Sequence, residues 1–101
     1  MRVSDIVDVV AADVGCTREE LLGRGREERL MQARRLVYFF AHYDLGYSYN
    51  RIAIIFHRRH YNVVQDAIKL LVRTMIVDNA TALRIVSLRE QLTAQDASLF
   101  S

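Results

Sequence analysis

Proline is absent from the 101 residues, and the four glycines stand only at 15, 23, 25 and 46. Proline and glycine are the strongest local breakers of regular backbone, so the second half of the chain has no built-in stop. In place of breakers there is periodicity. Apolar residues recur three and four apart, the repeat of a helix buried along one side. The chain therefore reads as helix after helix, an all-α small helical bundle of about five to six helices.

Val3, Ile6, Val7, Val10 and Val14, with Asp5, Asp8 and Asp13 between them, predict an amphipathic helix over about 4–14. Its β-branched residues are weak helix formers, so packing must hold it. Thr17-x-x-Glu20 is a capping box opening a short helical turn that ends at Leu21-Leu22. Gly23-Arg24-Gly25-Arg26 follows as a flexible basic loop. A longer helix is expected over 27–44, with Leu30, Ala33, Val37, Phe40 and Tyr43 or Asp44 on its buried stripe. Arg29, Arg34 and Arg35 lie off that stripe. Gly46 suits the left-handed residue after a helix, and Ser48 can cap a helix over 49–56 that buries Ile52, Ala53 and Phe56.

The polar run His57-Arg58-Arg59-His60 makes a turn. From Tyr61, the spacing Val64, Ala67/Ile68, Leu71 and Met75 marks another buried face. Asn79 or Thr81 starts a last helix through about Leu92, whose Leu83, Ile85, Val86, Leu88 and Leu92 can pack on their own core or on a second copy. Residues 1–93 are expected to form one domain, with 94–101 a loosely ordered tail.

Composition removes several classes. At 51% hydrophobic residues the chain can bury a core, which argues against disorder. The single Cys16 cannot form an internal disulfide, and no paired CxxC is present. Arg or Asp interrupts every apolar stretch well short of the ~18 residues a membrane span needs. Acidic Asp5 arrives too early for a signal peptide. A soluble protein of the cytoplasm is expected.

The net charge of +2 is an average over unlike segments. Residues 1–22 carry −3, residues 23–60 carry +5, and residues 61–101 are balanced. Thirteen of the fourteen basic residues are arginine, the exception being Lys69. Arginine's planar fork of donors suits phosphate and guanine edges. A basic middle block fits nucleic acid, and it also fits a solvated helix face laced with salt bridges.

Two helices joined by a four-residue turn, at 48–69, describe a helix-turn-helix. The start of its second helix would enter the major groove. Arg58, Arg59, His60, Tyr61, Asn62 and Gln65 can all hydrogen-bond base edges there. Asn or Gln pairs bidentately with adenine and Arg with guanine, at about 1–3 kcal/mol of discrimination each. Arg51 and Lys69 are candidates for phosphate contacts.

These residues resemble a family. The run Leu21-Leu22-Gly23-Arg24-Gly25-Arg26, then Ala33-Arg34, then Ser48 through Phe56, then His57 through Val64, is similar to the C-terminal DNA-binding domain of the bacterial replication initiator DnaA. The two can be laid together without a gap from about Ile6 to Leu71. The resemblance implies a Trp-repressor-like helical fold around a central helix-turn-helix that binds double-stranded DNA. It implies that Arg24 and Arg26 of the basic loop reach the minor groove, that Arg59 reads a base in the major groove, and that Arg34 lies near the backbone. Ser48 matches the serine that leads the family's first motif helix. A place in the bacterial cytoplasm or nucleoid goes with it.

The departures concern readout. The family's aspartate, histidine and two threonines are His60, Tyr61, Asn62 and Val63 here, so recognition of the initiator's own box sequence is not implied. The family's glycine pair is His57-Arg58, so whichever residue takes the left-handed turn bears a strain of about 1 kcal/mol. No GxxxxGK[S/T] loop is present, which leaves no nucleotide site.

His57-x-x-His60 is a poor metal pair, lacking nearby Cys or acidic partners. No cofactor is expected. No paired carboxylates or activated nucleophile point to an enzyme. Ile54 and Ile55 extend the apolar side of the first motif helix, as extra core or as an association patch. The preferred reading is a sequence-specific transcription or replication regulator, with a homodimer or a replication or transcription protein as further partner. The alternative is a protein-interaction adaptor that keeps the fold without base readout.

Overall fold

The computed structural model describes residues 1–99, and side chains through residue 95. The described residues form six helices and no strand: α1 (Val3–Val14), α2 (Arg18–Leu22), α3 (Glu28–Tyr43), α4 (Tyr49–Ile55), α5 (Tyr61–Val77) and α6 (Asn79–Leu99). No described helix is long and apolar enough to cross a membrane.

Local signals set most boundaries. Gly15 stops α1 at φ 80°, with its N–H donating to the Ala11 carbonyl. The Thr17 capping box is closed in both directions at 3.0 Å: Glu20 N–H donates to Thr17 Oγ1, and Thr17 N–H to Glu20 Oε1. Gly46 sits at φ 74° between α3 and α4, where a side chain would be strained. Ser48 Oγ accepts from Arg51 N–H at 3.1 Å and caps α4.

α3 is the central rod, packed against α1, α2, α4 and α5. The expected single stripe is therefore too narrow. From Leu36 to Ala41 every residue is buried, and so is Arg34, which the periodicity puts off the stripe. A helix surrounded by neighbours loses its solvent side.

α5 buries Val64, Ile68 and Leu71 as its spacing predicts. α6 begins at Asn79, anchored by Asp78, whose carboxylate accepts from Ala80 N–H at 3.1 Å and from the Thr81 hydroxyl at 2.8 Å. It folds back onto α5 and α1 and buries Ile85, Leu88 and Leu92 in this chain's own core. Arg84 pairs with Asp13 at 2.8 Å and Arg89 with Asp44 at 2.8 Å, fastening α6 to the start and the middle of the chain. The backbone stays helical to Leu99, past the expected end near Leu92, because Thr93–Leu99 contains neither glycine nor proline. Of the tail expected at 94–101, residues 100 and 101 lie outside the described residues.

Candidate nucleic-acid interface

α4, the turn and α5 form the helix-turn-helix. α4 ends at Ile55 with Phe56 as its cap, and the turn is drawn tight by Arg58 N–H donating to the Ala53 carbonyl at 2.7 Å. His57 takes the left-handed conformation at φ 55°, so this residue bears the strain that the missing glycine pair transfers to the turn. The turn is seated by Phe56, buried edge-on against Tyr38 of α3 with ring centroids 5.2 Å apart.

A cleft of about 880 Å³ opens beside this turn. Arg24, Gly25 and Arg26 of the basic loop line it, as do His57, Arg58 and Arg59 of the turn. Its floor is Met31, Arg34, Arg35 and Tyr38 of α3 with Val63, Asp66, Ala67 and Leu70 of α5. Basic loop and recognition turn, more than thirty residues apart in sequence, thus share one concavity. Among the described residues, no carboxylate lies within ion-pairing distance of Arg24, Arg26, Arg34, Arg58 or Arg59. With six arginines against the single carboxylate of Asp66 in its lining, and Arg35 alone paired among the described residues, the cleft carries an excess of positive charge of the kind that attracts a polyanion.

The arginines around it have different duties. Arg34, expected at the phosphate backbone, is instead an interior strut, 8% exposed. Its Nε donates to the Leu21 carbonyl at 2.8 Å, Nη2 to the Glu20 carbonyl at 3.0 Å, and Nη1 to the Gly25 carbonyl. Those carbonyls belong to the end of α2 and the basic loop, where a helix leaves its last acceptors unpaired. Burial first, and then the neighbouring Arg58 charge, push the Arg34 guanidinium below its usual range. Arg58, expected near the major groove, is half-buried: Nε donates to Tyr38 Oη at 3.0 Å and Nη2 to the Gly23 carbonyl at 3.2 Å. Arg24, Arg26 and Arg59 remain solvent-exposed on the cleft rim.

Other expected contacts lie outside the cleft. His60, Tyr61 and Asn62 are exposed at the start of α5, and Lys69 is exposed two turns further on. Gln65 is half-buried on the flank. Ser48 is engaged as the α4 cap, and the Arg51 guanidinium stacks over the Tyr47 ring at 3.8 Å. Arg35 belongs to the cleft although sequence reasoning did not select it; its Nη1 also lies 3.6 Å from Glu28. Its only sequence signal is adjacency to Arg34. Val63 and Leu70 place exposed apolar surface on the floor. Ile54 is 65% exposed and Ile55 39%, so neither is extra core. No group of three or more His, Cys, Asp or Glu among the described residues could hold a metal ion.

Comparison with known proteins agrees with this geometry. Residues 3–70 match the family described as bacterial dnaA protein helix-turn-helix. The chromosomal replication initiator protein DnaA of Thermotoga petrophila is 31% identical over 77 residues, which cover 76% of this chain and 17% of that protein. The DnaA protein of Thermotoga sp. strain RQ2 shows the same identity and the same coverage. The chain thus spans about 17% of the length of these relatives. With its all-helical fold, its helix-turn-helix and its match over residues 3–70, the chain belongs to the bacterial DnaA helix-turn-helix family of DNA-binding domains.

Proposed function

We propose that this domain binds double-stranded DNA sequence-specifically and acts as a transcription or replication regulator. The observation that carries the reading is the shared cleft: the basic loop and the recognition turn line one concavity in which, among the described residues, Arg24, Arg26, Arg34, Arg58 and Arg59 have no carboxylate partner and only Arg35 has one, Glu28. On this reading the exposed Arg59, Tyr61, Asn62 and Gln65 approach base edges in the major groove, with His60 beside them. Arg24 and Arg26 reach the adjacent minor groove or its phosphates. Lys69 and Arg51 contribute to the backbone side, and Ser48 acts indirectly by fixing the start of α4. Arg34 and Arg58 support the loop and turn and leave the contacts to their neighbours.

Neutralising several phosphates releases counterions, so affinity falls steeply with salt. Fluorescence anisotropy against duplex DNA at two salt concentrations tests the reading. Tight binding at low salt that weakens severalfold at higher salt is expected; no binding at low salt overturns it. Selection of bound sequences from random duplexes then tests base readout and half-site spacing together. A second reading, a protein-interaction adaptor, is favoured by exposed Ile54 and Ile55 on α4. Recovery of random, unenriched sequences from the selection would favour it.

A further inference from the structure

The structure assigns Arg58 a role as the clasp between the two DNA-contacting segments: it holds the basic loop in register with the recognition turn. The assignment rests on the DNA-binding reading for its consequence, but on the geometry of the free protein for its mechanism. Arg58 belongs to the turn, which α4 and α5 hold rigidly. Its guanidinium crosses to the end of α2, where Nη2 donates to the Gly23 carbonyl at 3.2 Å. Midway, Nε donates to Tyr38 Oη at 3.0 Å, and Tyr38 is only 3% exposed on the central helix. The planar fork is thereby fixed at two points on two elements.

The loop needs such a fixture. Gly23 closes α2 in an extended conformation at φ −79°, and beyond it Arg24, Gly25 and Arg26 are exposed. Glycine carries the largest backbone entropy of any residue, so a loop with two of them would explore many positions for its arginines. Two anchors limit it: Arg34 from below, through the Gly25 carbonyl, and Arg58 from the side, through the Gly23 carbonyl. Only the second joins the loop to the helix-turn-helix. A binding loop ordered before contact loses less entropy on contact. The arginine that stands beside strained His57, where the family has its glycine pair, thus ties the minor-groove and major-groove segments into one body.

Two variants test this. Arg58→Met keeps the aliphatic stem and removes the donors. Tyr38→Phe removes the midway anchor of the clasp without changing charge, at a side chain that lines the cleft floor but is only 3% exposed. In the free protein, mild trypsin nicking after Arg24 and Arg26, read by mass spectrometry, should accelerate at least threefold in Arg58→Met and measurably in Tyr38→Phe. Arg59→Met, from the same turn but with no bond to the loop, should leave nicking unchanged. Nicking unaltered in both clasp variants overturns the assignment.

Binding to a mixed-sequence duplex gives the second readout. Both variants should bind severalfold more weakly, and Tyr38→Phe should keep the wild-type salt slope. Arg26→Ala should cost less affinity in the Arg58→Met background than in the wild type, because a released loop has less to lose. Additive costs, together with a slope reduced by about one phosphate only in Arg58→Met, would make Arg58 a direct phosphate contact and overturn the clasp. If the unmodified protein binds no duplex at low salt, the functional reading fails while the nicking comparison still decides the clasp.

Discussion

Arginine is used in two ways in this molecule, and the two uses occupy different regions. Where α1, α2, α3 and α6 meet, arginine faces carboxylate: Arg18 reaches Asp8 at 2.6 Å, Arg84 reaches Asp13 at 2.8 Å, Arg89 reaches Asp44 at 2.8 Å, and Arg29 lies 3.6 Å from Glu20. Around the cleft, apart from Arg35 beside Glu28, arginine faces backbone carbonyl, a tyrosine hydroxyl or solvent. Arg34 and Arg58 bond carbonyls and a tyrosine, and Arg24, Arg26 and Arg59 stand exposed. The first region is electrically quiet and the second is not. A chain of net charge only +2 thus gathers exposed, unpaired arginines where they can act on a polyanion.

The largest expected effect separates the interior strut from its exposed neighbours. Arg34→Met should destabilise the domain by about 3 kcal/mol, since three carbonyls lose their donor, and Arg34→Lys should recover only part of that. Urea denaturation measures both. A loss below about 1 kcal/mol would return Arg34 to the class of surface arginines and break the comparison. Next, Arg59→Ala should reduce affinity for the selected duplex by about 1–3 kcal/mol and flatten base preference. Stability should stay within about 0.5 kcal/mol. Equal weakening on every sequence would make Arg59 a phosphate contact.

Arg24→Ala and Arg26→Ala should weaken all duplexes alike and lower the salt slope by about one each. His57→Gly should stabilise the fold by up to about 1 kcal/mol by relieving the left-handed residue, which thermal unfolding would show as a raised midpoint. The smallest effect belongs to the compensated region. The Thr17 backbone N–H, then the Thr17 hydroxyl and the Arg29 charge, hold the Glu20 carboxyl below its ordinary range. A depressed carboxylate stabilises the fold above its unfolded-state titration and loses that contribution as pH falls through the folded one. The midpoint difference between wild type and Glu20→Ala should therefore shrink on acidification from neutral pH. A difference that grew would contradict the capping geometry.

How much of this was legible beforehand follows from the range of the interactions. Gly15, Gly46, the Thr17 box and Ser48 act within a few residues, and the helix ends they mark are found where the sequence places them. The helix-turn-helix was legible for the same reason. Arg34 and Arg58 were not, because their partners lie 9 to 35 residues away and, the Tyr38 hydroxyl apart, are backbone carbonyls, which carry no sequence signature. Periodicity placed Arg34 outward on α3 because it registers one buried side, and α3 is enclosed on several. The length of α6 escaped because nothing in residues 93–99 either stops or demands a helix.

α6 reaches back from residue 84 to residue 13 and buries Ile85, Leu88 and Leu92 against helices that precede it. Burying three such side chains is worth about 5–9 kcal/mol before entropic costs, the same order as the whole stability of a small domain. The segment after residue 70, beyond the stretch that matches the family, is therefore a keystone of the folding unit. The two ends of the chain should lose structure together, in one transition seen alike by circular dichroism and by tyrosine fluorescence.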